Sequence, residues 1–248
     1  MDAYPKLFFK FKSITKSDSL SNIDEIISDH KLYFPNRKHL NDPFEGGTKR
    51  LRVPGTAGAW YYQINDKENP YLGEIKGKYR ILCLSSNCFS PLMWAHYANE
   101  GKGLCLCFHT NKSFSIARPV IYDEFIDDGE IIPEAQVEEK VYDSFFVKHP
   151  DWRYENEWRI VEQSENSYYQ FEADELAAVI FGYSMSEGNK RIIKRMLSPE
   201  IKQYEAHIGG QSGSIRLIPD EYVFPGDGTN PDFISTVDEM YEAVMRTD

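Results

Sequence analysis

Short apolar runs alternate with amphipathic stretches along the chain, a pattern that predicts strands and helices packed in layers. The first run, KLFFKFKS, predicts a strand with Phe9 and Phe11 on one face, because side chains alternate along a strand. The other face carries Phe8, Lys10 and Lys12. The next stretch, SLSNIDEIISDH, predicts a helix with Ile23 and Ile27 in its apolar stripe. Further strands are predicted at KLYFP, YRILCLSS, GLCLCFH, LAAVIFG and SIRLI, and further helices from Pro133 and at SPLMWAHYANEGKG, SEGNKRIIKRML and STVDEMYEAVMR.

The order of these elements favours an α+β fold, because strands and helices do not alternate regularly. No repeat, low-complexity tract or clear linker interrupts the chain, so we expect residues 1–248 to form a single domain. LAAVIFG is apolar on both faces and is expected to be a central strand.

One predicted strand carries charge on a whole face. It covers 154–162 within WRYENEWRIV, and alternation places Glu155, Glu157 and Arg159 on one face and Trp158 on the other. The apolar face is expected to join the core. The charged face has two interpretations, a solvated edge strand with a glutamate–arginine pair or the wall of a polar cleft, and the sequence leaves both open.

The loop HLNDPFEGG is a candidate ligand-binding segment. Asn41 and Asp42 are ordinary turn residues, so they either cap a turn or, together with Glu45, lie beside a ligand. Lys10 is another candidate, because a lysine on a central strand must extend to solvent or bind an anion. That anion could be a phosphate or the carboxylate of Glu157.

The helix in SPLMWAHYANEGKG combines aromatic and ionisable side chains. Met93, His96 and Tyr97 share one side at i, i+3 and i+4, which suits either core packing or stacking on a base or nicotinamide ring. We expect Trp94 to be structural and His96 or Tyr97 to face the site.

The four cysteines, at positions 83, 88, 105 and 107, are expected to be buried free thiols rather than metal ligands. Cys105, Cys107 and His109 would share a strand face, but the C-x₂-C spacing of common zinc sites is absent.

Composition argues against several classes of function. The chain of 248 residues is 41% hydrophobic and 14% aromatic, which suffices for a sizeable core. A net charge of −11 argues against a general nucleic-acid binder, because nonspecific binding to phosphates needs clustered basic residues. The first residues lack the apolar region of a signal peptide, and no apolar run approaches the roughly 20 residues of a membrane span. We therefore expect a cytoplasmic protein that has no membrane partner.

Four segments together resemble the domain-of-unknown-function 2971 family. They are FFKFKS, LYFPNRKHLNDPFEGG, ILCLSS followed by LMWAHYANEGKGLCLCF, and WRYENEWRIV. Their combination, order and spacing carry the resemblance, since each motif alone is common. The resemblance spans roughly residues 7–197 and leaves 198–248 as a C-terminal extension.

The order of elements is also similar to that of ADP-ribosyltransferases, particularly the type that modifies DNA. This resemblance implies an α+β fold with a mixed, mainly antiparallel split sheet flanked by helices. It implies that Lys10, on the first strand, binds NAD, and that Glu157, on a late strand, is catalytic with Glu155 upstream. No H-G-T or S-T-S triplet stands where that superfamily places one.

The resemblance and the residue chemistry together predict an NAD site. The predicted catalytic residues are Glu157 and Glu155, and the predicted cofactor-binding residues are Lys10, Arg37, Asn41, Asp42, His96, Tyr97 and Arg159. Cleavage of the nicotinamide–ribose bond develops positive charge on the ribose, which one carboxylate can stabilise while another orients the acceptor. The lysine and the arginines could hold the pyrophosphate.

The first functional hypothesis is therefore an NAD-consuming transferase that modifies nucleic acid or protein. Such an enzyme would act as a toxin or an anti-phage defence effector, and it could be paired with a partner protein or antitoxin. Two alternatives remain open: a non-catalytic binding or sensor module on the same fold, and a metal-dependent nuclease or hydrolase. The last would use Asp42, Glu45, Glu155 and Glu157.

Overall fold

An open sheet of eight strands forms the centre of the computed structural model, which describes residues 4–15, 17–42, 70–124, 133–209, 213–220, 222 and 233–246. The strands are β1 (Leu7–Lys12), β2 (Lys31–Tyr33), β3 (Tyr79–Ser85), β4 (Leu104–His109), β5 (Arg118–Pro119), β6 (Ile121–Tyr122), β7 (Val147–Lys148), β8 (Glu157–Gln163), β9 (Tyr168–Gln170), β10 (Leu176–Phe181), β11 (Lys202–Gly209) and β12 (Ser214–Pro219). The α-helices are α1 (Ser17–Ser28), α2 (Pro70–Gly77), α3 (Pro91–Tyr97), α4 (Val137–Ser144), α5 (Glu187–Lys194) and α6 (Val237–Met245).

The large sheet has the strand order β12, β11, β10, β4, β1, β3, β8 and β5. Its β10–β11 pair is parallel, and its other described pairs are antiparallel. The strands β2 and β9 form a small separate sheet, as do β6 and β7. A mixed, mainly antiparallel sheet with helices packed on it confirms the expected architecture at this level. The LAAVIFG run is β10, which is buried along its whole length as predicted.

Alternation along the strands separates two apolar faces. Phe8 packs with α1 and α5 in a first core cluster, whereas Phe9 and Phe11 pack with α3 and α6 in a second cluster on the opposite face. A third cluster, around Ile81 of β3 and Val141 of α4, lies on the same face as the second. The alternation predicted from KLFFKFKS is therefore confirmed.

The sheet is split between β1 and β3. Within the described pairing these two strands meet only where Phe9 faces Ser85, whereas β3 pairs with β8 along its whole length. Away from that point, the backbone N–H of Ile81 donates to the carbonyl of Pro35 at 2.8 Å. The segment that follows β2 therefore supplies a hydrogen-bond acceptor to the part of the β3 edge with which β1 does not pair. A buried backbone N–H group needs such a partner.

The charged strand begins later than the sequence pattern suggested. Pro150–Glu155 forms a 3₁₀ helix, and Asn156 follows with a φ of 46°, a left-handed conformation that asparagine tolerates. The prediction of a strand over 154–162 is therefore wrong at its start, and Glu155 precedes β8. Alternation had treated Glu155 and Glu157 as neighbours on one strand, but the left-handed residue between them changes the direction of the chain.

The described residues within 198–248 continue the same sheet and core. It supplies β12, which confirms the strand predicted at SIRLI, and β11, which the sequence pattern did not reveal. It also supplies α6, which Thr236 and Glu239 cap reciprocally. Met240 and Val244 of this helix join the second core cluster.

Candidate active site

A cavity of about 240 Å³ lies at the split in the sheet, and we call it the split cavity. Its apolar and aromatic lining consists of Phe9, Phe11, Tyr33, Pro35, Leu40, Leu84, Met93 and Tyr97. Its remaining lining consists of Lys10, Lys12, His39, Asn41, Cys83, Ser85, Lys148, Glu155, Glu157 and Arg159. An apolar wall with a few convergent polar groups is typical of a small-molecule site.

Four of the lining residues, Lys148, Glu155, Glu157 and Arg159, form one network that we call the buried ion cluster. The Nζ atom of Lys148 lies 2.5 Å from the Glu155 carboxylate and 3.1 Å from the Glu157 carboxylate. The guanidinium of Arg159 donates to both oxygens of Glu157, at 2.8 and 2.9 Å. The four side chains are between 0% and 6% exposed, so each charge depends on its partners rather than on water.

A short stretch of chain supplies the whole cluster. Lys148 ends β7, and the 3₁₀ helix that follows ends at Glu155. The left-handed turn at Asn156 then starts β8, where Glu157 and Arg159 point to the same face. The cleft interpretation of the charged face is thus closer to the structure than the solvated edge, because both β8 residues are buried beside a cavity.

The two carboxylates have opposite titration behaviour. Burial disfavours ionisation of Glu157, but Arg159 and Lys148 outweigh it and hold the pKa of Glu157 well below its ordinary value. Burial and the neighbouring Glu157 raise the pKa of Glu155, although Lys148 opposes the shift. Two acids whose pKa values are shifted in opposite directions are suited to distinct chemical roles, since one stays charged and the other can exchange a proton.

The α3 helix presents Tyr97 to the cluster. Ser90 caps the helix and Pro91 occupies its first turn, as the sequence punctuation predicted. Trp94 fixes the rotation of the helix, because it is fully buried and its indole N–H donates to the carbonyl of Cys88 at 2.7 Å. Trp94 therefore belongs to the core, as expected.

Tyr97 is the residue of α3 that contacts the buried ion cluster. Its hydroxyl donates to Glu155 and is also hydrogen bonded to the side chain of Asn41. Burial and the adjacent Glu155 raise the pKa of Tyr97, so the hydroxyl stays protonated and acts as a neutral donor. Asn41 and Tyr97 therefore lie in the predicted site, next to the carboxylates.

The other predicted cofactor-binding residues are distributed unevenly. Lys10 lines the split cavity, and its ammonium donates to the carbonyl of Cys83 across the split at 2.7 Å. His96 is exposed and packs on Tyr154, with ring centroids 6.0 Å apart, rather than lining the cavity. Of the two residues expected to face the site, Tyr97 does so and His96 does not. His96 is about 100° from Tyr97 around the helix, and the burial of Trp94 fixes a rotation that turns His96 outward.

Arg37 and Asp42 are also absent from the lining of the split cavity. Arg37 lies close enough to Lys76 to reinforce the effect of burial, and the two together lower the pKa of Lys76 to about 8. Asp42 is buried, with 4% of its surface exposed, but elsewhere. Glu45 falls outside the described residues.

Sequence reasoning missed Lys148, which binds both carboxylates, and did not assign a role to Lys12. Lys148 follows two phenylalanines and one valine, and its local sequence carries no recognised motif. Lys12 shared the face of Lys10 in the alternation of the first strand, which was the signal that could have found it.

No group of histidine, cysteine or acidic side chains in the described part of the chain is arranged to hold a metal ion. Cys88, Cys105 and Cys107 are buried in the second core cluster, and burial raises the pKa of each thiol. Glu157 accepts from Lys148 and Arg159, and Glu155 accepts from Lys148 and the Tyr97 hydroxyl, so among the described residues these carboxylates are engaged by side-chain donors. No helix among the described residues is long and apolar enough to cross a membrane.

The family model described as a protein of unknown function, DUF2971, matches residues 93–160. That segment contains Tyr97 and the whole buried ion cluster, so the matched region coincides with one side of the split cavity. No curated protein and no solved structure matches the chain.

Proposed function

We propose that the protein is an NAD-consuming transferase of the ADP-ribosyltransferase type, with NAD bound in the split cavity. One observation carries this proposal: Lys10 of the first strand and both Glu155 and Glu157, far away in sequence, line the same cavity. That convergence supports the roles that the resemblance to ADP-ribosyltransferases implied for them.

The buried ion cluster suits the chemistry of the nicotinamide–ribose bond. Positive charge develops on the ribose as that bond breaks, and fixed negative charge in a site of low dielectric stabilises it strongly. We assign this electrostatic role to Glu157, which Arg159 and Lys148 hold ionised.

Proton transfer from the acceptor is assigned to Glu155. The raised pKa of Glu155 lies nearer to neutral pH than that of an ordinary glutamate. A general base is most effective when its pKa is close to the pH at which the enzyme works. The hydroxyl of Tyr97 and the ammonium of Lys148 hold its two oxygens in position. The acceptor in this proposal is a nucleophile on nucleic acid or protein.

The test is release of nicotinamide from NAD by the purified protein, with candidate nucleic-acid and protein acceptors present. Glu155→Gln and Glu157→Gln keep the shape of each side chain and should each lower the rate by at least about 100-fold, as loss of a key electrostatic group does. Glu162→Gln is the matched control, since Glu162 is on the same strand but outside the cavity lining. Absence of nicotinamide release by the folded wild-type protein with every acceptor would refute the proposal.

A second function, a binding or sensor module, is favoured by a different observation. Both oxygens of Glu157 accept from cations, which is how a structural ion pair is built as well as a catalytic one. In that case NAD or a related nucleotide would bind and be recovered intact. Calorimetry combined with analysis of the bound ligand separates the two functions.

A further inference from the structure

The split cavity carries an excess of positive charge in an acidic protein. Among the residues that the structure describes, four cationic side chains, Lys10, Lys12, Lys148 and Arg159, line it together with two carboxylates, those of Glu155 and Glu157. The difference is a formal charge of +2, whereas the whole chain has a formal charge of −11. A cavity that has a net charge and apolar walls concentrates ligands of the opposite charge.

This excess belongs to β1. Lys148 and Arg159 are neutralised by the two glutamates in the buried ion cluster. With the described residues Lys10 makes one side-chain hydrogen bond, to the Cys83 carbonyl, which leaves two of its three ammonium protons for a ligand. Within the described part of the chain, Lys12 has no ion-pair or hydrogen-bond partner for its ammonium.

The two lysines also act on each other. They are two residues apart on one strand, so their side chains leave the backbone on the same face. Burial, and after it the positive charge of Lys10, lower the pKa of Lys12 to about 8. Two adjacent ammonium groups in a partly buried cavity are unfavourable unless an anion joins them.

We propose that Lys10 and Lys12 form an anion subsite that binds a phosphorylated small molecule through its diphosphate. Ammonium groups bind phosphate oxygens as point charges, and two of them side by side match the separated charges of a diphosphate. The identification of that diphosphate with the pyrophosphate of NAD rests on the proposed function. The subsite itself depends only on the charges that line the cavity.

This subsite makes phosphorylation of the ligand the basis of selectivity. The aromatic and apolar walls can accept a base or a sugar with or without phosphate, but only a phosphorylated ligand neutralises the two lysines. ADP and ADP-ribose should therefore bind at least ten times more tightly than adenosine. The assignment also places Lys12, rather than Arg37, beside Lys10, because Arg37 does not line the cavity.

Isothermal calorimetry with inorganic pyrophosphate tests the subsite on the full chain. The wild-type protein should bind pyrophosphate, and added salt should weaken the binding as it screens the charges. Lys12→Met and Lys10→Met keep the length of each side chain without its charge and should each weaken binding at least tenfold. Lys102→Met is the control, because Lys102 is exposed and paired with Glu100 outside the cavity, and it should bind as the wild type does.

The outcomes separate the subsite from the proposed reaction. Pyrophosphate binding that is lost in both cavity variants, but without any nicotinamide release, would support the subsite and refute the transferase. Nicotinamide release by a protein whose pyrophosphate affinity is unchanged in Lys12→Met would refute the subsite and leave the transferase. If Lys12→Met fails to fold, Lys10→Met and the tenfold preference for ADP over adenosine decide the question.

Discussion

Lys148→Met should reveal how strongly the buried ion cluster depends on its shared cation. The ammonium of Lys148 bridges two carboxylates at 2.5 and 3.1 Å, with 6% of the side chain exposed. Its removal leaves Glu155 facing Glu157, with Tyr97 as the remaining described hydrogen-bond partner of the Glu155 carboxylate. Breaking a buried pair by deleting one partner costs about 3–5 kcal/mol, because the other charge stays buried without compensation.

The assay is chemical denaturation at neutral pH, supported by thermal melts. For a domain of this size each kcal/mol lowers the melting temperature by about 2–4 °C, so a fall of roughly 6–20 °C is expected. Lys112→Met is the matched control, since Lys112 pairs with Asp174 at the same 2.5 Å but with 45% and 68% of the two side chains exposed. An exposed ion pair contributes about 0–1 kcal/mol to stability. Lys112→Met should therefore lose much less stability than Lys148→Met, because the two pairs differ in burial and not in distance.

The pH dependence of the destabilisation supplies a second check on the same reasoning. The pKa of Glu155 is already raised in the folded protein, and loss of Lys148 removes a charge that opposes this rise. The folded variant should therefore bind more protons than the unfolded chain above the ordinary glutamate pKa, and its stability should fall as the pH rises. Lys148→Met should be less destabilised at pH 5 than at pH 8, and Glu155→Gln should restore much of the stability of Lys148→Met. Equal losses for Lys148→Met and Lys112→Met, or a greater loss at pH 5, would refute this account of the cluster.

Three further outcomes are expected. Trp94→Ala should lower the free energy of unfolding by about 3–5 kcal/mol, because a fully buried indole is lost, whereas exposed His96→Ala should change it little in the same denaturation experiment. Tyr97→Phe should lower the rate of nicotinamide release at least tenfold with a small change in melting temperature, since it removes one donor to the Glu155 carboxylate. An unchanged rate would count against the role assigned to Glu155. The lowered pKa of Lys12, about 8, means that the unfolded chain binds more protons above pH 8, so Lys12 should add on the order of 1–3 kcal/mol to wild-type stability between pH 7.5 and 9.5. In parallel urea titrations Lys12→Met should lose that contribution and keep the rise that Lys76, whose pKa is also lowered to about 8, adds over the same range.

Local patterns were sufficient where a single element decided the outcome. The alternation of Phe8, Phe9 and Phe11 predicted which face of β1 each residue occupies, since every strand side chain points opposite to its neighbours. The cap at Ser90 and the proline after it predicted the start of α3, because both satisfy the helix terminus locally. The charged face containing Glu157 and Arg159 was likewise visible before the structure.

Single-element reasoning was insufficient where the chain changes direction. Glu155 reaches the buried ion cluster from the end of a 3₁₀ helix through the left-handed Asn156, although alternation had placed it on the strand. His96 was grouped with Tyr97 by spacing, but the burial of Trp94 fixes a rotation of α3 that turns His96 outward. In both cases packing against another element, rather than local preference, selected the orientation.

By itself the sequence determined the alternating strands, the capped helices and the presence of acidic and basic side chains in WRYENEWRIV. Only the tertiary structure decided that Lys148 joins two carboxylates, and that β1 parts from β3 to leave a cavity beside Lys10 and Lys12. The physical reason is that strand and helix periodicities depend on neighbours a few residues away, whereas ion pairs and cavities depend on groups brought together from distant parts of the chain. Burial then sets the strength of those ion pairs, because it removes the water that would otherwise screen them.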